Sequence, residues 1–183
     1  MTPFIQTFDS VLGTLTVLSH LALAGALLGY LFSAPFRVWT KAFGGRWGMR
    51  AAFIAASGAV AASLIYSEIA GYAPCVLCWW QRVFLYPLVP LLALALFRKD
   101  HGAVRYGWAL AVPGTLLALY HTVLSYVSTD GACDPSGVSC AARYVWEFGY
   151  VTIPLMSLTA FVLILTALFA ARRGSSHQIS VVG

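Results

Sequence analysis

The chain has 183 residues, 60% of them hydrophobic and 9% charged, with a net charge of +5. Water-soluble domains carry about a quarter charged residues, so a mean hydropathy of +0.81 excludes an ordinary soluble fold. The basic residues follow the connections between apolar runs instead of forming one stripe with interleaved aromatics, which speaks against a nucleic-acid partner.

Five apolar stretches lie near 11–33, 51–70, 77–97, 107–127 and 149–171. Each is long enough to cross a hydrocarbon layer of ~30 Å, which takes about 20 helical residues. Continuous apolar runs indicate helices, since a transmembrane β-barrel shows short alternating segments. The sequence therefore predicts an all-α integral membrane protein. The first stretch has no Lys or Arg before Arg37, so it lacks the basic head of a cleaved signal and reads as a spanning helix.

Residues 1–49 form this extra helix and a link, in which Gly44-Gly45-Arg46-Trp47-Gly48 is expected to be flexible. Residues 50–173 form a four-helix transmembrane bundle, and 174–183 a loose cytoplasmic tail. Ala52, Ala55, Ala56, Gly58 and Ala59 on the second span permit close helix contact. Pro87, Pro90, Pro113 and Pro154 predict kinks in the last three spans.

Nine of the eleven basic residues fall in three connections: Arg37, Lys41, Arg46 and Arg50; Arg98, Lys99 and Arg105; Arg172 and Arg173. The positive-inside bias makes these cytoplasmic, with the N-terminus outside and the C-terminus inside. The two remaining connections then face outward. They hold all four cysteines, Cys75 and Cys78 in one and Cys133 and Cys140 in the other. Outside the cytoplasm such pairs are redox-active or structural disulfides.

Pro74-Cys75-Val76-Leu77-Cys78-Trp79-Trp80-Gln81-Arg82 stands where an outer loop turns into the third span. Proline suits a helix entry, which puts the two cysteines about one turn apart at a helix N-terminus, where unpaired N–H groups and the helix dipole favour a thiolate. Arg82, four residues beyond Cys78, shares its face and adds a fixed positive charge. Interfacial snorkelling is the plainer role for Arg82. Trp79 and Trp80 are either interface-belt aromatics or walls for a flat ring-shaped ligand.

The second pair encloses Asp134-Pro135-Ser136-Gly137-Val138-Ser139, a spacer of turn formers that can close as a disulfide or open and reach across. A zinc cluster is the first competing reading of the four cysteines, though C-x2-C with C-x6-C is loose for one. Purely structural disulfides are the second, and they give no reason for an arginine beneath Cys78. A c-type haem site fails because Trp79 stands where its histidine belongs.

These marks, with Tyr120-His121-Thr122-Val123, Cys140-Ala141-Ala142-Arg143, Trp146-Glu147-Phe148-Gly149 and Pro154, resemble the DsbB/BdbC family of disulfide bond formation proteins from about Arg50 to Arg173. The resemblance implies a DsbB-type bundle in the bacterial cytoplasmic (inner) membrane. It implies a protein dithiol:quinone oxidoreductase that reoxidises a DsbA-like thioredoxin-fold protein and uses ubiquinone or menaquinone. Cys133 is then the sulfur attacked by the reduced partner, Cys140 its companion, Cys75 the receiving sulfur and Cys78 the thiolate facing the quinone. Arg82 would stabilise charge there, and His121 would sit beside the ring. Residues 1–49 lie outside the resemblance, and the short Cys133–Cys140 spacer leaves less room for a loop helix.

Two rivals remain. A vitamin K epoxide reductase-like enzyme uses similar chemistry, but its loop cysteines precede the C-x-x-C helix, the reverse of the order here. A non-enzymatic scaffold or transporter subunit stapled by disulfides is the other; a transporter would be expected to show charged groups at mid-membrane, and 106–129 and 148–171 contain no Asp, Glu, Lys or Arg.

Overall fold

The computed structural model describes residues 3–127 and 138–182, apart from the side chains of Lys41, His101 and 174–182. The described residues form six α-helices: α1 (Pro3–Phe32), α2 (Ala34–Leu64), α3 (Val76–Leu85), α4 (Leu88–Arg98), α5 (Val104–Val127) and α6 (Ile153–Val182). Five helical segments are long and apolar enough to cross a membrane, with α3 and α4 together forming one of them. An all-helical membrane bundle with an added N-terminal helix is thus what the sequence predicted.

The two first helices turn on a single residue. Ser33 is extended (φ −122°, ψ 111°), and its side chain accepts the Phe36 N–H, while Pro35 occupies the first turn of α2. Both features start a helix, because an early proline has no intrahelical bond to lose. The hairpin brings the start of α1 back to the end of α2, where the Phe8 and Tyr66 rings meet edge-on at 5.4 Å.

Here the structure departs from expectation. Gly44 to Gly48 are not a flexible link; they lie inside α2. Gly44 and Gly48, one turn apart, pack on α6, where an added Cβ on Gly48 would stand 2.7 Å from the Ala167 carbonyl oxygen. In lipid, helix association rests on close packing, and glycine permits it. The tail also differs: α6 continues through Val182, past the apolar part that ends at Arg173.

Proline acts differently at each position. Pro87 has no N–H for the helical ladder, and the third span breaks at Tyr86–Pro87 into α3 and α4. Pro90 sits in the first turn of α4 and Pro113 inside α5. Pro154 is the second residue of α6, so it starts that helix and does not kink it. The span expected from 149 begins at Ile153 because the chain before it forms a tight turn. Glu147 and Val151 exchange backbone hydrogen bonds of 3.0 and 2.8 Å, and Phe148 and Gly149 take φ of 52° and 76°. Two successive positive φ values make the hairpin-type turn that favours glycine at its second centre.

The core joins α2, α4, α5 and α6, with Leu88, Leu92, Ala111, Phe161, Ile164 and Leu168 fully buried. One end of this bundle collects the close of α2, the start of α3, the end of α5 and the start of α6, so the cysteine segments converge there. Replacing Gly48 by leucine should force α2 from α6 and cost about 1–3 kcal/mol, the usual penalty of overpacking. A lower midpoint of thermal unfolding in detergent checks this, with Gly58→Leu, where an added Cβ meets nothing within 4 Å, as the tolerated control.

Candidate functional site

Cys75 caps α3 in extended conformation (φ −72°, ψ 171°), its carbonyl accepting the Trp79 N–H at 3.1 Å. Cys78 therefore lies in the first turn, and the two sulfurs stand 3.1 Å apart. The arrangement matches the one read from Pro74-Cys75-Val76-Leu77-Cys78. Cys75 is buried. The hydrogen bond shared with Cys78, and then burial, push its thiol up to about 12.

His121 on α5 is also buried, at 3% exposure. Its Nε2 lies 3.0 Å from the Cys140 carbonyl oxygen and 3.8 Å from the Cys75 sulfur. Since a carbonyl only accepts, Nε2 carries the proton and Nδ1 is the acceptor. The Gln81 amide donates to that Nδ1 at 3.0 Å, and the Gln81 Oε1 accepts the Ser157 hydroxyl at 2.7 Å. The histidine thus joins the Cys75 end of α3 to the Cys140 turn.

Arg82 crosses to α2. Its Nε donates to the Ser63 hydroxyl at 2.9 Å and its Nη2 to the Ser63 carbonyl at 3.0 Å. Just beyond Ser63 the helix widens into a π turn at Ile65–Ile69, an irregularity that often marks functional sites. The guanidinium also lies 5.0 Å from the centre of the Trp79 ring. Bound this way, Arg82 is anchored in protein, unlike a snorkelling side chain.

Cys140 is 1% exposed, in a turn where the Ser139 hydroxyl accepts the Ala141 N–H at 3.2 Å. Arg143 then secures the turn by donating to the Ser125 carbonyl at the end of α5 at 2.9 Å. Cys133 lies outside the described residues.

A cavity of about 330 Å³ unites these groups: Cys75, Cys78, Arg82, His121 and Cys140 line it, among mostly apolar side chains. Trp79 is not on its wall; it is 55% exposed. Cys75, Cys78 and His121 have their ligand atoms within 4.8 Å of one another, as a metal would need. Each ring nitrogen of His121 already has a hydrogen-bond partner, however, so a metal would have to displace one.

A family profile described as "Disulfide bond formation protein DsbB" matches residues 45–171. The chain belongs to the DsbB family. "Probable disulfide formation protein C 1" of Bacillus anthracis is 40% identical over 125 residues, covering 67% of this chain and 86% of that relative. "Disulfide bond formation protein C" of Bacillus subtilis (strain 168) is 38% identical over 117 residues, 63% of this chain and 85% of the relative. "Probable disulfide formation protein" of Metapseudomonas resinovorans is 40% identical over 114 residues, 61% and 79% of the two chains. No solved structure matches. The resemblance read from the motifs therefore holds, and the protein is a multi-pass, disulfide-generating member of the DsbB family.

Gln81, Ser157 and Ser63 belong to the site but were not singled out in the sequence. Gln81 carried a signal, because it follows Cys78 by three residues and so shares its side of α3. The serines sit on other helices at 63 and 157, and only packing shows what they reach.

Gln81→Leu leaves Nδ1 of His121 buried without a donor. At about 1–3 kcal/mol for such a loss, disulfide formation should slow roughly tenfold, and Gln81→Asn should restore less than wild-type rate; a stopped-flow assay of disulfide formation measures both. Alkylation of Cys75 in the reduced protein should rise about tenfold per pH unit from pH 7 to 10 without a plateau, because only the thiolate reacts. Mass spectrometry of the Cys75 peptide reads this rate, and a plateau near pH 8 would contradict the raised thiol.

Proposed function

We propose that this DsbB-family protein is a dithiol:quinone oxidoreductase. In this reading it reoxidises a DsbA-like thioredoxin-fold protein on the extracytoplasmic side and delivers the electrons to a membrane quinone, ubiquinone or menaquinone. The observation that carries the proposal is the single cavity bringing Cys78, Arg82 and His121 together beside Cys140.

Disulfide exchange requires a thiolate in line with a sulfur–sulfur bond. Cys133 is the point of attack by the partner in this scheme, and Cys140 passes the electrons to Cys75. The bond from His121 to the Cys140 carbonyl keeps that turn beside Cys75. Cys75 remains a protonated thiol at neutral pH when the pair is reduced, which leaves Cys78 as the sulfur that presents negative charge to the cavity. The N–H groups at the start of α3 and the Arg82 guanidinium both favour that charge.

The cavity suits a quinone ring in size and in its mix of apolar wall and few polar groups. A bound quinone would supply the acceptor for two electrons and two protons, balancing the conversion of two thiols to one disulfide. The Arg82 guanidinium is the donor that would face a quinone oxygen, with the His121 ring, its Nε2–H given to the Cys140 carbonyl, beside it. The crowding of basic residues at the opposite end of the bundle supports an outward-facing cysteine end in the bacterial cytoplasmic membrane.

The test mixes purified protein with a reduced thioredoxin-fold donor and a soluble quinone, and follows quinone absorbance. Wild type should consume quinone and Cys78→Ser should not; equal rates would overturn the relay. Arg82→Ala should lower kcat/KM for quinone by roughly a hundredfold, as loss of a preorganised charge does, at normal membrane levels.

A further inference from the structure

The family match begins at residue 45, so nothing in it accounts for α1. That helix is nevertheless keyed to the bundle. Ile5, Asp9, Gly13 and Thr16 are its buried residues, spaced by four, four and three, which places them on one face. A Cβ on Gly13 would stand 3.0 Å from the Glu147 Cβ, so α1 lies close against the turn before α6.

His20 fixes the rotation further down. Its Nε2 donates to the Thr159 hydroxyl on α6 at 2.9 Å, a hydroxyl whose own proton goes to the Leu155 carbonyl at 2.9 Å. Its Nδ1 is then free to accept the Tyr150 hydroxyl at 3.3 Å. A histidine within a spanning helix needs such partners, and these lie on α6 and its preceding turn. A helix held by close packing at Gly13 and two hydrogen bonds at His20 has one orientation. In that orientation Leu12, Leu15, Thr16 and Ser19 line the same cavity as Cys78 and Arg82.

We propose that α1 is a wall of the quinone site and sets the site's affinity and its preference among quinones. The inference rests on the quinone reading above. Without α1 the cavity would open to lipid between α2 and α6, the two helices that α1 packs against. Ring fit and the first part of the isoprenoid tail are thus governed by residues beyond the four-helix core.

The test uses the full chain in lipid nanodiscs and measures binding of a short-tailed and a long-tailed quinone by calorimetry, with quinone KM alongside. Leu15→Trp, which adds bulk at the cavity, and Leu12→Ala, which removes it, should each shift quinone affinity about tenfold, the effect of a change of a methylene or more in an apolar pocket. Leu12→Ala should also change the affinity ratio of the two quinones. Leu27→Trp, on an exposed position of α1 away from the cavity, should bind like wild type. The rate of exchange with the reduced donor in the absence of quinone should stay unchanged in Leu27→Trp. Affinities within twofold of wild type for both cavity variants would overturn the role of α1, and the relay would stand if Cys78→Ser still abolished quinone use. Quinone use undiminished in Cys78→Ser would instead remove the relay itself.

Discussion

A buried imidazole in a membrane protein must find protein partners for both nitrogens, because hydrocarbon offers none. His121 meets that requirement with Gln81 on α3 and the Cys140 carbonyl. Neither partner is local in sequence. The two bonds therefore fix α3, α5 and the Cys140 turn relative to one another, and the relay proposed above would rely on that register. The carbonyl also dictates the tautomer, and through it the direction of every hydrogen bond back to Ser157.

Much of the fold was legible because membrane solvation makes long apolar runs into helices almost without exception. What stayed hidden was how helices meet. Gly44 and Gly48 look like a flexible link in a sequence rich in small residues, yet they are helical because α6 lies against them closely enough to exclude any side chain. Pro154 looked like a kink because the apolar run begins earlier than the helix; the Glu147–Val151 turn takes up the difference. The first error comes from contact between distant segments and the second from a local turn, and periodicity encodes neither.

The site divides in the same way. Cys75, Cys78 and Arg82 were readable from spacing within one helix, and their motif led to the DsbB family that the sequence comparisons bear out. His121 was found through that resemblance and expected beside a ring; its bonds to the two cysteine segments emerge only from the fold. Trp79 shares the motif but points away from the cavity, since the turn that places Cys78 and Arg82 on one face puts the residue after Cys78 on another. Cys133 lies outside the described residues, so its expected role is untouched by the geometry.

The depth of Cys140 carries one more consequence. At 1% exposure, its sulfur is shielded from hydrated, charged thiols in the surrounding fluid, and the cavity it borders is too apolar to admit them. Small charged thiols are consequently kept from direct attack at this sulfur. In the relay proposed above, electrons would then reach this sulfur through its companion cysteine and not directly from the surrounding fluid.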